Sequence, residues 1–215
     1  MDKRKVMIVD DHPLVREGIK GLIEREPDLV VSAEATGASD AFVELQRDKP
    51  DLVIVDLALA DGDGLELIER FRRYDPELKM IVVTMRDERL FGERVMWAGA
   101  LGYVSKQAAP DILIDALRKT LRGEPFLSAE MVEQIFGRAR GEGAANHSMF
   151  ERLTNRELQV LRLIGQGLST VGIADELHLS PKTIETHRAK IKRKLGVNSA
   201  ADLVRQAVQW ELSQL

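Results

Sequence analysis

The sequence of 215 residues contains no cysteine and only four histidines. The absence of cysteine excludes disulfide bonds and thiolate metal sites. The histidines lack the spacing of a zinc motif such as His-Glu-x-x-His. A metal site in this protein would therefore have to be built from oxygen ligands.

Long apolar runs are also missing, since no stretch approaches the roughly 18 to 20 residues that a membrane-spanning helix needs. The charged start from Met1 to Lys5 leads into a short strand rather than a signal peptide. We therefore expect a cytoplasmic protein without a membrane anchor. The hydrophobic fraction of 44% is ordinary for a globular protein, and the length allows two modest domains.

The net charge of −4 conceals an uneven distribution. Residues 1–123 contain 19 Lys and Arg against 24 Asp and Glu, whereas residues 150–215 contain 10 against 7. These counts give net charges of −5 and +3. Nucleic acid is a candidate partner of the basic end, although an ordinary solvated surface would explain so small an excess equally well.

Short apolar runs alternate with amphipathic stretches between residues 5 and 122. Strands are predicted near 5–9, 30–34, 52–55, 80–84 and 101–104. Helices are predicted near 13–26, 38–47, 64–73, 88–97 and 110–122. This fivefold alternation predicts an α/β fold with a five-stranded, doubly wound parallel sheet.

Polar residues follow four of these strands, at the point where each strand ends. They are Asp10, Asp11, Asp56, Thr84 and Lys106. The carboxyl ends of strands in an open α/β sheet surround a ligand crevice, so we expect these side chains to converge. Three carboxylates, a hydroxyl and an ammonium suit a divalent cation together with a tetrahedral phosphoryl group. One of the aspartates is therefore predicted to accept a phosphoryl group.

A simpler interpretation is that Asp10 and Asp11 only cap the helix that begins near Pro13. It leaves the polar residues at the other three strand ends unexplained.

Residues 124–149 are predicted to be a helical linker and flexible tether. A helix is expected from Ser128 to about Ala139, and the small and polar residues 141–148 have little to bury. The predicted domains are therefore 1–123, the linker 124–149, and a small all-α domain at 150–215.

The C-terminal domain carries the start signals of four short helices. Thr154 and Glu157 have the spacing of a capping box, and Ser180 precedes Pro181 as an N-cap precedes the first helical residue. In the helix from 181 to about 195, an apolar face includes Ile184 and Ile191. The residues predicted to contact DNA from this helix are Lys182, Thr183, Glu185, Thr186, Ala189, Lys190 and Arg193.

These candidates divide by chemistry. Lys182, Lys190 and Arg193 suit phosphates. Glu185, Thr186 and Ala189 suit base edges in the major groove. The alternative is a basic helix that is merely solvated.

Residues 5 to about 122 resemble the receiver domain of two-component response regulators, which has a flavodoxin-like fold. The resemblance implies that Asp56 is the phosphoacceptor. It also implies that Asp10, Asp11, Asp56 and the carbonyl of Ala58 hold Mg²⁺. One departure is Ala60, where receivers usually have proline.

The same resemblance implies that Thr84 is the switch hydroxyl, Lys106 the counter-charge and Tyr103 the rotating aromatic residue. A second departure is Met85, which is bulkier than the residue usual after the switch hydroxyl.

Residues 153–204 resemble a helix-turn-helix of the LuxR type. The matching segments are Leu153-Thr-x-Arg-Glu157, Ile173-Ala-x-x-Leu177 and Leu179-Ser-x-Lys-Thr-Ile-Glu-Thr-His187. Together the two halves resemble a NarL/FixJ-type regulator. This resemblance implies a sensor histidine kinase and double-stranded DNA as partners, a homodimer on phosphorylation, and control of transcription rather than enzymatic turnover.

Two other functions would use some of the same residues. A phosphatase of the haloacid-dehalogenase type also uses an aspartate nucleophile and magnesium, but it needs a second aspartate where this chain has Ala58. A regulator whose output is protein binding, with the basic helix unused, would be separated from a DNA-binding regulator by a gel shift.

Overall fold

The computed structural model describes residues 3–139 and 149–212. The chain divides into two compact units, Met1–Phe136 and Gly137–Leu215. The small and polar residues 141–148 of the predicted tether lie outside the described residues.

The first unit contains a five-stranded parallel sheet covered by helices on both faces. Its strands are β1 (Arg4–Val9), β2 (Leu29–Ala35), β3 (Leu52–Val55), β4 (Ala58–Leu59), β5 (Gly62–Asp63), β6 (Lys79–Thr84) and β7 (Gly102–Ser105). Its helices are α1 (Pro13–Glu24), α2 (Ala38–Asp48), α3 (Gly64–Tyr74), α4 (Glu88–Ala98), α5 (Pro110–Leu121) and α6 (Ala129–Ala139). The main sheet has the order β2-β1-β3-β6-β7, while β4 and β5 form a separate antiparallel hairpin. The predicted fold class is confirmed.

The central strands are apolar because helices cover both of their faces. Val6 to Val9 in β1 and Leu52 to Val55 in β3 are all buried. Their register pairs Val9 with Val55. As a result Asp10 and Asp56 leave the sheet side by side, and the Asp56 amide donates to the Val9 carbonyl over 2.9 Å.

The other side of the crevice is formed by β6 and β7. Thr84 pairs with Ser105, and the Lys106 amide donates to the Thr84 carbonyl over 2.9 Å. Parallel register alone therefore brings Thr84 and Lys106 to the edge at which the aspartates emerge.

The segment after α5 continues the first unit. Phe126 forms a parallel bridge with Gly102, and its carbonyl accepts from the Tyr103 amide over 3.0 Å. Helix α6 then packs on α4, where Met131 is buried against Gly92. The first part of the predicted linker is thus held against β7 and α4.

The second unit is helical, as predicted. A short 3₁₀ helix (Met149–Arg152) precedes α7 (Asn155–Gly165), α8 (Thr170–Glu176), α9 (Pro181–Leu195) and α10 (Ala200–Leu212). The predicted capping box is present, since Thr154 and Glu157 bond each other's backbone amides. A β-carbon at Gly165 would lie 2.6 Å from the Ala207 carbonyl oxygen, so this glycine lets α7 and α10 approach closely.

Across the described ranges, no helix combines the length and the apolar character that crossing a membrane would require.

Candidate functional site

Three of the predicted site residues meet in one buried contact. The Nζ atom of Lys106 lies 2.7 Å from Oδ2 of Asp10 and 2.7 Å from Oδ2 of Asp56. The Lys106 side chain is only 7% exposed and the two carboxylates are 2% exposed. The structure therefore brings these groups together at the carboxyl ends of β1, β3 and β7.

Lys106 remains charged in this position. Burial lowers its pKa, but hydrogen bonds from the ammonium to Asp10 and Asp56 outweigh burial, and the pKa is raised above its ordinary value. The site consequently holds a permanent positive charge between two carboxylates, at the place where an incoming anion would need one.

The acidic side of the crevice has the donor set of a site for a hard cation. Carboxylate oxygens of Asp10, Asp11 and Asp56 and a nitrogen of His12 all lie within 4.8 Å of one another. Three carboxylates and the Lys106 ammonium leave a charge of −2, which a divalent cation would neutralise. The oxygen atoms present therefore fit Mg²⁺.

The structure does not favour helix capping as the role of the aspartate pair. The N-cap of α1 is His12, which has no side-chain capping bond. Oδ1 of Asp10 instead accepts from the His12 amide over 2.9 Å, and Nδ1 of His12 lies 2.6 Å from Oδ1 of Asp11.

Ala58 lies two residues after Asp56 and begins the β4–β5 hairpin. Its amide donates to Oδ1 of Asp56 over 3.2 Å. The hairpin returns the chain to α3 at Gly64. A β-carbon at Gly64 would lie 2.2 Å from the Asp56 carbonyl oxygen and 2.7 Å from the Leu57 Cα atom. Only glycine fits this close approach of α3 to the backbone of the candidate phosphoacceptor.

Asp61, which the sequence did not single out, ties the same hairpin to α2. Its carboxylate accepts from the Ala38 amide over 2.7 Å and from the Ser39 amide over 3.0 Å. Burial raises the pKa of Asp61, but these amide hydrogen bonds outweigh burial and lower it. The hairpin has Ala60 where receivers usually have proline. The two hydrogen bonds between Asp61 and α2 restrain the hairpin in place of a proline ring.

Thr84 and Tyr103 are both buried and are linked through the backbone of Arg86. The Arg86 amide donates to Oγ1 of Thr84 over 3.4 Å, and the Tyr103 hydroxyl donates to the Arg86 carbonyl over 2.7 Å. Burial raises the pKa of Tyr103, so its hydroxyl stays a donor. The ring is 4% exposed and therefore already lies inside the protein.

Helix α9 presents the predicted DNA-contacting residues on its outer face. Ile184 and Ile191 are fully buried, so the opposite face is solvent-accessible. The exposed candidates are Lys182, Glu185, Thr186, Ala189, Lys190 and Arg193. Thr183 is only partly exposed, and it instead helps start the helix by donating its amide to Oγ of Ser180 over 3.1 Å.

A partly buried ion pair joins α9 to α7. Nζ of Lys194 lies 2.6 Å from Oε2 of Glu157, whose side chain is 3% exposed. Burial raises the pKa of Glu157, but the contacts from Lys194 and the Thr154 amide outweigh burial and lower it. The orientation of α9 therefore depends on a charged contact as well as on apolar packing.

His187 is half-buried behind the exposed face of α9. Its pKa is lowered by burial and by the positive charges of Lys190 and Arg156. No hydrogen bond to its Nδ1 atom is found among the described residues.

Both halves of the chain match known families. Residues 6–118 match the response regulator receiver domain, and residues 151–207 match the bacterial regulatory proteins of the luxR family. The chain belongs to the NarL/FixJ-type response regulators, which combine a phosphoacceptor receiver with a LuxR-type helix-turn-helix.

Relatives share this organisation over almost their whole length. The response regulator GacA of Pseudomonas aeruginosa is 34% identical over 205 residues, covering 95% of each chain. The response regulator UvrY of Escherichia coli K12 is 32% identical, covering 96% of this chain and 94% of that protein.

Solved structures agree in fold. RcsB of Salmonella enterica serovar Typhimurium, bound to the promoter rprA in the presence of the phosphomimetic BeF₃⁻, is 30% identical with a TM-score of 0.66. The match covers 95% of this chain and 98% of that one. This chain is therefore a DNA-binding two-component response regulator, a transcription regulator and not an enzyme.

Proposed function

We propose that Asp56 accepts a phosphoryl group from a sensor histidine kinase, or from a small acyl phosphate, and that this charge controls dimerisation and transcription. The observation that carries the proposal is the Lys106 ammonium held 2.7 Å from both Asp10 and Asp56 at the strand ends. A fixed positive charge beside a carboxylate is what phosphoryl transfer to that carboxylate requires.

Asp10, Asp11, Asp56 and the Ala58 carbonyl would hold Mg²⁺. Bound there, the ion supplies neutralising charge for the carboxylates and the incoming phosphoryl oxygens. Without it, the negative charges of Asp10, Asp11 and Asp56 would repel a phosphoryl donor, so uptake depends on magnesium.

In the transfer itself, an oxygen of Asp56 forms a bond to phosphorus while the bond from phosphorus to the donor breaks and the donor keeps that electron pair. Lys106 then moves its contact from the carboxylate to a phosphoryl oxygen. The Ala58 amide, which already donates to Oδ1 of Asp56, and the Thr84 hydroxyl at the end of β6 would supply further hydrogen bonds to the phosphoryl oxygens.

Thr84 and Tyr103 form the switch in this proposal. A phosphoryl oxygen would draw the Thr84 hydroxyl toward it, and the Arg86 backbone connects that hydroxyl to the Tyr103 ring. Since the ring is already buried, phosphorylation would favour and retain this position rather than create it. The Tyr103 amide also bonds Phe126, so the change would reach the segment that leads into α6.

The DNA-binding half uses the exposed face of α9 in the major groove. Lys182, Lys190 and Arg193 contact phosphates, and Glu185, Thr186 and Ala189 read base edges. Thr183 lies at the start of the same helix. Two copies of α9 in a dimer would meet half-sites about one helical turn apart.

Helix α10 offers a pairing surface for such a dimer. Leu203 and Ala207 are fully buried in their own unit, whereas Val204 is 41% exposed and Val208 is 37% exposed. The apolar residues of α10 thus form an inward edge and an exposed edge, and the exposed edge is the one available to a second copy.

We assign residues 1–123 to the receiver, 124–149 to the linker and 150–215 to DNA binding, with a cytoplasmic location. The relatives are regulators of the same design, and RcsB is described bound to promoter DNA. These similarities favour DNA binding over a purely protein-binding output. Ala58, where a haloacid-dehalogenase phosphatase needs its acid, disfavours turnover of external substrates.

The test is selection of binding sites from random DNA, with and without beryllium trifluoride and Mg²⁺. The intact protein should enrich a motif more strongly with the phosphoryl mimic. Asp56→Asn should remove the difference between the two conditions. A difference that persists in this variant would place the control point elsewhere.

A further inference from the structure

We infer that Thr170, outside the recognition helix, is a specificity-determining positioning residue that aims the Glu185 carboxylate at a single base. The inference rests on the proposed base-reading role of Glu185 and adds the residue that sets its geometry.

Two side chains contact the same oxygen of the Glu185 carboxylate, and we call this arrangement the clamp. Oγ1 of Thr170, at the start of α8, donates to Oε1 of Glu185 over 2.7 Å. Nε of Arg188 lies 3.8 Å from the same Oε1 atom. Both contacts use one oxygen, and Oε2 has no hydrogen-bond partner among the described residues of this unit.

The two partners approach from different directions. Thr170 reaches Glu185 across the turn between α8 and α9, fifteen residues along the chain. Arg188 lies on α9 itself, and its side chain is largely buried, with only 16% exposed. Glu185 remains 61% exposed. A flexible acidic side chain is thus oriented while its free oxygen stays accessible.

Thr170 is available for this task because its neighbour caps the helix. Oγ of Ser169 accepts from the Gly172 amide over 3.1 Å, which satisfies the first turn of α8. The Thr170 hydroxyl is therefore not needed as a cap and can serve Glu185.

The clamp has a direct consequence for readout. A carboxylate only accepts hydrogen bonds, so it fits the N4 amino group of cytosine and is repelled by the acceptor atoms of guanine and thymine. With Oε1 occupied, one oxygen remains to accept from one donor. A carboxylate free to rotate would meet neighbouring base pairs as well and discriminate less.

The experiment compares Thr170→Val, which keeps the branched shape and removes the hydroxyl, with Thr170→Ser, which keeps the hydroxyl. Full-length protein activated with beryllium trifluoride is used for selection from random DNA, followed by affinity titrations on the best site and its single-position variants. Thr170→Val should lose about tenfold in preference at one base position, the position that Glu185→Ala also affects. Affinity for unrelated DNA and the melting temperature should not change, and Thr170→Ser should retain the preference.

A combined variant separates positioning from direct contact. Thr170→Val added to Glu185→Ala should cause no further loss of preference, because Thr170 acts through Glu185. An additional loss would overturn the inference, as would a uniform loss of affinity on all sequences or failure of Thr170→Ser to rescue.

The outcomes also separate this inference from the proposed function. If the unmodified protein enriches no motif, DNA reading itself fails and Thr170 has no role in it. If the protein enriches a motif that Glu185→Ala changes and Thr170→Val does not, DNA reading stands and only the positioning role is rejected.

Discussion

Lys106 and Asp56 form an ion pair inside the first unit, with 2.7 Å between Nζ and Oδ2 and side chains that are 7% and 2% exposed. Lys106 leaves β7 and Asp56 leaves β3, so the pair joins two strands across the crevice. The contact exists before any phosphoryl group is present, which means that the positive charge needs little reorganisation when one arrives.

Replacing Lys106 by Met should slow phosphoryl uptake by about 100-fold, because the phosphoryl oxygens lose their fixed counter-charge. The measurement is the intact mass of the protein over time after addition of acetyl phosphate and Mg²⁺. Lys119→Met is the matched control, since the Lys119 ammonium pairs with Asp115 on α5 and lies over the Phe126 ring. Equal uptake rates for the two variants would remove Lys106 from the chemistry.

Gly64→Ala should destabilise the receiver by about 1 to 3 kcal/mol, because the new β-carbon would overlap the Asp56 backbone. Chemical denaturation followed by circular dichroism measures this change. Gly21→Ala in α1 is the matched control, since nothing lies within 4 Å of its added β-carbon. That control should stabilise the protein by up to about 1 kcal/mol, because alanine is the better helix former. Similar effects of both substitutions would contradict the close approach at Gly64.

Tyr103→Phe should lower the receiver's unfolding free energy by about 0.5 to 1.5 kcal/mol, since the hydrogen bond to the Arg86 carbonyl is lost while the ring stays. It should also weaken the gain in DNA affinity produced by beryllium trifluoride. Titrations with and without the mimic measure that gain. A full gain in both Tyr103→Phe and Tyr103→Ala would exclude the aromatic residue from the switch.

The DNA-binding unit should lose stability in acid, because the stabilising contribution of Glu157 is lost there. The pKa of Glu157 is lowered in the folded protein, so its contribution is present above its ordinary value of 4.5 and is lost as the pH falls through the lower folded value. Protonation also breaks the contact to Lys194. Glu157→Gln should therefore flatten the fall in unfolding free energy below about pH 4.5.

Tryptophan fluorescence can report the unfolding of the DNA-binding unit alone. The chain has two tryptophans, of which Trp97 is 83% exposed and Trp210 is buried. In a Trp97→Phe background, Trp210 is therefore the reporter of the DNA-binding unit. Glu176→Gln on α8 is the control for removing an exposed acid. If Glu157→Gln and Glu176→Gln behave alike, the Glu157–Lys194 ion pair does not contribute to the acid sensitivity.

The sequence predicted the main strands because most of them are apolar runs, and four of the five are followed by a polar residue. It also predicted the crevice, since parallel register places strand ends together. The β4–β5 hairpin was not predicted, because a strand of two residues such as Ala58–Leu59 is too short to show an alternating hydrophobic pattern.

Two contacts could not be predicted from local pattern at all. Asp61 reaches Ala38 across 23 residues, and Thr170 reaches Glu185 across 15. Neither Asp61 nor Thr170 stands in a motif or periodic pattern that would single it out. Only the packing of helices and strands brings each of them to its partner.

The most direct test of the account is the intact mass of the unmodified protein and of Asp56→Asn after incubation with a phosphoryl donor and Mg²⁺. We predict that the unmodified protein gains the mass of one phosphoryl group and that Asp56→Asn gains none. No gain in the unmodified protein, or an equal gain in the variant, would contradict the assignment of Asp56 as the phosphoacceptor.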